Sequence, residues 1–416
     1  MNKKTTVYKF GGASVKDAKA VKNVKSIIEK APTPLLVVVS AMGKTTNALE
    51  KVNEQYFNHS DYNDALQTVK DYHLNIAREL FEPHHPVFDK LHNLFVELEW
   101  ELEEPPTKSF DFHYDQIVSF GELFSTTIIT EYLQKNGLPA KLLDARDVIK
   151  TDFSYRHAKI NWALTQEYAA KHPLSAIHIT QGFIGVNDEN YSTTLGREGS
   201  DFSAAIFAYI YDANEVTIWK DVPGMLNADP KIFPDAEPLN QISYKEAVEL
   251  AYYGASVIHP KTIKPLKEKN IQLKVKSFID TNKTGTLINR QSDKDAEKPS
   301  FIVKKNQWLL SLSTKDFSFI IEENIADIFS LISQMQVKVN LMENTALSFS
   351  ICVDDDFYKI PELIERLKEK YNLLYNKNVE LITVRHYTNE ALQKVTEGKE
   401  ILLEQKSRNT ARFVLK

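Results

Sequence analysis

Leu35 to Val39 reads LLVVV, an unbroken apolar run in which three of five residues are β-branched. A run of this kind suits a strand buried on both faces, which requires helices on both sides of a parallel sheet. Ala176 to Thr180 and Glu215 to Trp219 carry a similar signal. Helical patterns separate them. Val87, Leu91, Leu94, Leu98 and Leu102 recur at three- and four-residue spacing, so 87–103 is predicted to be an amphipathic helix with its glutamates on the solvated face. Short β-branched runs alternating with amphipathic helices predict an α/β region: a mostly parallel open sheet sandwiched by helices.

That pattern does not run to the end of the chain. Twelve of the 13 glycines fall before residue 290, and only Gly398 follows. The polar segment Arg290 to Ser300 (RQSDKDAEKPS) reads as a linker between a first domain, 1–290, and a second, 300–416. Beyond it, strand candidates at 308–313, 337–342, 346–353 and 379–385 alternate with two helix faces. Ile325, Ile328, Phe329 and Ile332 mark the first face, and Ile360, Leu363, Ile364 and Leu367 the second. The order is βαββαβ, a ferredoxin-like α+β unit over about 305–386. The tail, 386–416, holds one short helical pattern and two strand-like runs, and is expected to complete that sheet or pack beside it.

Across 416 residues, 51 basic and 56 acidic side chains are well mixed and sum to −5. This balance argues against nucleic acid or an anionic membrane as the main partner. Small anionic substrates then have to be met by local cations. Cys352 is the one cysteine, which excludes an intramolecular disulfide and a multi-cysteine metal site; its setting, SFSICV, is that of a buried strand. The N-terminus has lysines but no apolar run behind them, and no stretch is long enough to cross a bilayer, so the expected location is cytoplasmic.

Chemistry concentrates in Thr193 to Ala204, TTLGREGSDFSA, directly before an apolar helical pattern. Backbone N–H groups at a helix start attract anions, glycine lets the backbone approach closely, and Arg197 can fork onto a carboxylate or phosphate. From the residues alone, an ordinary polar loop capped by Ser200 or Asp201 fits equally well. Lys9-Phe10-Gly11-Gly12-Ala13-Ser14 follows a short strand and reads as a turn beside a lysine. Ser40 to Asn47, SAMGKTTN, ends like a P-loop, but that motif needs glycine five residues before Gly43, where Val38 stands. In Ser119-Phe120-Gly121-Glu122, Glu122 is either a helix-start acid favoured by the dipole or a holder of a ligand ammonium. Lys220-Asp221-Val222-Pro223-Gly224 and Asp229-Pro230-Lys231 form a turn at a strand end, where α/β folds bind ligands. Farther on, His259 in GASVIHP reads as a structural histidine rather than a metal ligand.

In this order, KFGGASV, SAMGKTTN, SFGE, TTLGREGSD, WKDVPGM-ADP, GASVIHPKT and KSFIDTNKTGTLI resemble the signature segments of the aspartate kinases, of the amino acid kinase superfamily. The resemblance covers about 5–290, and the second region is similar to that family's ACT-type regulatory part. It implies the amino acid kinase fold and transfer of the γ-phosphoryl group of ATP to the β-carboxylate of L-aspartate. It further implies Lys9 and Asp201 as catalytic residues, and Ser40, Thr46, Glu122, Arg197 and Ser200 around the amino acid. Lys9, Gly11, Gly12, Lys220, Asp221, Gly224, Asp229 and Lys231 would contact nucleotide. Mg2+ would arrive on the nucleotide, with no dedicated metal site in the protein. A homodimer through the ACT region is implied, with lysine the first candidate effector.

The chain departs from the family pattern at several positions. Glu198 stands where many relatives have glycine, Ser256 where lysine is frequent, and Lys220 where threonine is usual; Lys261 is a candidate to compensate for Ser256. Thr314 to Phe319 (TKDFSF) lacks a glycine-containing turn, and Asn340 and Ala346 replace acids. No G-x-G-x-x-G is present, so no dehydrogenase domain of that type is expected. The alternatives to an aspartate kinase are a kinase of another small carboxylate and a silent amino-acid sensor.

Overall fold

The structure, a computed structural model, describes residues 4–255 and 258–416. The chain forms two compact units: Met1–Met225 with Pro238–Val248 and Val257–Ser292, and Leu226–Glu237 with Glu249–Ser256 and Asp293–Lys416.

The strands of the first unit are β1 (Thr6–Phe10), β2 (Leu35–Val39), β3 (Ala140–Leu143), β4 (Ile177–Gln181), β5 (Ile184–Val186), β6 (Ser192–Thr194), β7 (Glu215–Lys220), β8 (Gln241–Ser243), β9 (Gln272–Ser277) and β10 (Thr286–Asn289). Eight of them form one sheet in the order β3-β4-β2-β1-β7-β9-β10-β8, while β5 and β6 make a separate hairpin. Every pairing in the large sheet is parallel except β9 with β10. Every residue of β2 and β4 is buried, as the apolar run of β2 requires.

This strand order positions the site. From β1 the sheet grows one way through β2 and β4 and the other way through β7 and β9. The reversal opens a crevice at the carboxyl ends of β1, β2 and β7, where Lys9, Ser40 and Lys220 emerge. Two helices pack close to it. Phe120–Lys135 is buried from Phe120 through Leu133, so it is an interior helix with no polar face. Two of its hydroxyls are satisfied locally: Ser125 and Thr126 both donate to the Glu122 carbonyl, at 3.1 and 2.8 Å. Gly199–Ile210 is buried from Gly199 through Asp201 and again from Ser203 through Ala208. The helix predicted at 87–103 is present as Val87–Glu103, with Phe95 taking the buried place in the stripe and Leu94 only half-buried.

The second unit is an antiparallel sheet of β11 (Ser300–Thr314), β12 (Val339–Asn344), β13 (Phe349–Asp354), β14 (Tyr371–Arg385), β15 (Ile401–Lys406) and β16 (Thr410–Leu415). Its order is β12-β13-β11-β14-β16-β15, so the tail strands extend the sheet beyond β14. Two short strands expected from sequence are in fact halves of 15-residue strands, β11 and β14. The polar stretch Lys304 to Gln307 hid this continuity. Asn306, at φ +54°, makes a bulge there and shifts the inward parity by one residue. Before the bulge Phe301 packs with Ile382, Val384 and the helix Asn389–Thr396; after it Trp308, Leu310 and Leu312 pack under the helices Glu322–Gln334 and Lys359–Lys370. Cys352 is fully buried, and burial pushes its thiol up to about 12.

Asn340 is consumed structurally. Its amide donates to Gln307 Oε1 at 2.7 Å and to Asp354 Oδ1 at 2.8 Å, and its oxygen accepts from Lys304 Nζ at 2.7 Å. The stretch Leu226–Glu237, which sequence order groups with the strand-end turn after β7, folds with this unit: Ala228, Phe233 and Ala236 join the core around Phe301.

Candidate active site

A cavity of about 520 Å³ opens in the first unit at the carboxyl ends of the parallel strands. In its wall Lys9, from β1, places Nζ 2.6 Å from Asp201 Oδ1, and Lys220 Nζ lies 3.4 Å from Asp201 Oδ2. Asp201 is only 3% exposed. Burial pushes its carboxyl up, but the charges of Lys9 and Lys220 outweigh that and hold it below the ordinary value. The result is a carboxylate that fixes two ammonium groups at the start of the helix Gly199–Ile210, whose dipole also favours an anion there.

Glu122 lines the same cavity, 2% exposed, in the first turn of Phe120–Lys135. Its Oε1 accepts a hydrogen bond from the Ala41 N–H at 3.1 Å, while its buried Oε2 has no partner. Burial pushes this carboxyl up to about 8, against the opposing pull of the Ala41 N–H and the Lys9 charge. An orphan buried carboxylate oxygen on a cavity wall is suited to a cation brought by a ligand.

Ser40, Thr46, Arg197 and Ser200 line the same cavity, with Arg197 exposed into it. Gly11 and Gly12 follow β1 without lining it. Gly12 is required for packing, since a Cβ there would meet the Gly43 and Ala41 carbonyls at 2.7 and 2.8 Å. Asp221 is exposed outside the lining, and Gly224 is buried against Thr286 of β10. Asp229 and Lys231 are exposed residues of the second unit. Of the residues singled out by sequence, the cavity thus gathers Lys9, Ser40, Thr46, Glu122, Arg197, Ser200, Asp201 and Lys220.

Glu198 occupies the N-cap position of Gly199–Ile210 in the left-handed region, at φ +54°, with no side-chain cap bond. It lines the cavity, and its buried Oε2 has no partner among the described residues. Neither Ser200 nor Asp201 is the cap. Lys261 does not face the cavity: its Nζ donates to the Leu195 carbonyl at 2.5 Å, so it braces the loop. Ser256 lies outside the described residues. His259 caps the helix Pro260–Lys269 by accepting the Lys261 N–H at 3.2 Å on Nδ1, a structural role.

Sequence reasoning missed Tyr114, Arg156, His157 and Phe183, which complete the wall. Beneath them Asp115 is fully buried and accepts from the Thr194 N–H and hydroxyl at 2.8 and 2.6 Å, and from the Arg156 N–H at 3.1 and 3.0 Å. Burial pushes its carboxyl up to about 6 although these donors pull it down.

The amino acid kinase family signature matches residues 4–277. Lysine-sensitive aspartokinase 3 of Escherichia coli (strain K12) is 30% identical over 349 residues, covering 83% of this chain and 77% of that protein. The chain belongs to the amino acid kinase family, among its aspartokinases. Chloroplastic aspartokinase 2 of Arabidopsis thaliana is 31% identical over 373 residues, and there the match spans 83% of this chain but 66% of the plant protein. The crystal structure of E. coli aspartokinase III with lysine and aspartate superposes with a TM-score of 0.84 at 26% identity, over 99% of this chain and 95% of that one. The same enzyme with aspartate and ADP gives 0.79 at 26% identity, over 99% and 96%.

Proposed function

We propose that the chain transfers the γ-phosphoryl group of ATP to the β-carboxylate of L-aspartate, giving 4-phospho-L-aspartate and ADP. The observation that carries this reading is that one cavity is lined by both the Lys9–Asp201–Lys220 cluster and Glu122, whose buried Oε2 has no partner among the described residues. Aspartate and ADP are the ligands of the E. coli relative, which supports the pairing of substrates.

A carboxylate is already a nucleophile, so the reaction needs no general base; it needs two anions held in line and their charge offset. A β-carboxylate oxygen attacks the γ-phosphorus, the bond to the bridging oxygen breaks, and its electron pair leaves on ADP. Lys9 and Lys220 offset the growing negative charge, and Asp201 holds both ammonium groups in place before substrate arrives. Glu122 takes the substrate ammonium and Arg197 its α-carboxylate, with Ser40, Thr46 and Ser200 lining the pocket between them. Gly11, Gly12 and Asp221 supply contacts to the nucleotide. Mg2+ would come on the phosphate oxygens of the nucleotide. So bound, the ion neutralises phosphate charge.

The division into a catalytic first unit and a regulatory second unit belongs to the same proposal. It is supported by the ferredoxin-like order of the second sheet, and lysine is its first candidate effector because the E. coli relative is lysine-sensitive. Exposed Phe317, Phe319 and Met342 on that unit suit a homodimer contact. A coupled ADP-release assay comparing L-aspartate, glutamate and acetylglutamate, each with and without added lysine, threonine or methionine, tests the reading. Turnover of glutamate alone would overturn it in favour of another carboxylate kinase. No turnover of any of the three would favour a sensor.

A further inference from the structure

Arg156 adopts φ +65°, a left-handed conformation that costs any residue with a side chain. Something holds it there. Its N–H donates to both oxygens of the buried Asp115, the same carboxylate that grips Thr194 at the start of the Arg197 loop. The next residue, His157, fits against that loop so closely that a Cβ on Gly196 would lie 2.5 Å from its Nδ1 and 2.9 Å from the Arg156 carbonyl. The turn carrying Arg156 and the loop carrying Arg197 are therefore locked together through one acid and one glycine.

The Arg156 side chain is also supported. Its guanidinium carbon lies 4.5 Å from the centroid of the Tyr114 ring, and the Tyr114 hydroxyl donates to Glu50 Oε1 at 2.8 Å. Tyr114, Arg156 and Arg197 all line the cavity. The carboxylate that Arg156 meets is Asp111, at 3.3 Å, in a pair exposed on both sides and therefore of little energetic weight. A guanidinium stacked on a ring, on a strained turn tied to a buried acid, is an expensive way to make a surface ion pair.

We propose that Arg156 is a second substrate contact, sharing with Arg197 the carboxylate of the amino acid that does not react, and that Asp115 is its positioning residue. The proposal rests on the aspartate kinase reading. It makes a dicarboxylic amino acid the fitting substrate, because the phosphate-side lysines take one carboxylate and a pair of guanidinium groups takes the other.

The test uses the full chain and the variants Arg156→Gly, Arg156→Gln, Arg156→Lys and Asp111→Ala. Glycine relieves the left-handed strain, so Arg156→Gly should melt no lower than the parent protein. Its KM for aspartate should rise at least about tenfold, as loss of a charge-assisted contact implies, with kcat and the KM for ATP within about twofold. Arg156→Gln keeps a side chain on the turn and should show the same KM rise should the glycine variant fold poorly. Arg156→Lys should recover part of the loss. Asp111→Ala should leave the aspartate KM unchanged or lower it. An aspartate KM within about twofold of the parent in both the Gly and Gln variants overturns the inference, as does an Asp111→Ala effect equal to theirs. Turnover of aspartate by the parent protein separates the two claims: its absence sinks the aspartate kinase reading, whereas an active parent with indifferent Arg156 variants sinks this one alone.

Discussion

Replacing Glu122 by glutamine tests how the cavity recognises its amino acid. Burial raises this carboxyl from 4.5 to about 8, so ionising it in the empty site costs about 5 kcal/mol at about 1.4 kcal/mol per pH unit. At pH 7 roughly nine molecules in ten carry the proton. A substrate ammonium pairs with the carboxylate, so binding aspartate at pH 7 should release close to one proton per site, falling to about a tenth at pH 9. Aspartate affinity should rise about tenfold over the same interval. Stability has the opposite slope. An acid whose folded pKa is raised loses stability as pH climbs from its unfolded value through its folded one, so ligand-free parent protein weakens between about pH 4.5 and 8. Glu122→Gln lacks that penalty and should be the more stable protein at pH 9, with the difference shrinking towards pH 5. Calorimetric titration of aspartate in two buffers of different ionisation enthalpy reads the proton count directly. A glutamine variant with parental affinity, or a parent releasing no proton at pH 7, refutes the reasoning.

Other consequences follow from the same geometry. Lys9→Ala should remain folded, since Lys220 still faces Asp201, while kcat falls about a hundred- to a thousandfold in steady-state kinetics. Gly196→Ala places a Cβ against His157 at a residue with φ +72° and should lower the melting temperature through a loss of about 1–3 kcal/mol, with a raised KM for aspartate. The Cys352 thiol, buried and pushed up to about 12, should resist iodoacetamide in the native protein and react fully only after denaturation, as mass spectrometry will show.

The legible parts of this chain are those in which local sequence and tertiary role coincide. LLVVV is buried on both faces because β2 lies inside a parallel sheet, and its pattern says so without further context. Lys9, Ser40 and Lys220 were recognisable because each sits at a strand end beside small or turn-forming residues. Tyr114, Arg156 and His157 carry no such mark: they stand in FDFHYDQIV and SYRHAKI, ordinary helical and loop text. Their importance comes from Asp115 reaching across to Thr194, a pairing over 79 positions that no local pattern records. The long strands β11 and β14 were hidden for a related reason, since a bulge lets polar residues interrupt a strand without ending it. Asp229 and Lys231 follow Lys220 closely in sequence, while the stretch Leu226–Glu237 that carries them packs with the second unit.

In the proposed reaction a carboxylate, and not a hydroxyl or water, accepts the phosphoryl group. An acyl phosphate reacts with hydroxylamine to give a hydroxamate, whereas phosphate esters do not. With ATP, Mg2+, L-aspartate and hydroxylamine, aspartyl hydroxamate should form in step with ADP, one for one, and be lost in Lys9→Ala. ADP release with no hydroxamate, or hydroxamate from glutamate but not from aspartate, would contradict it.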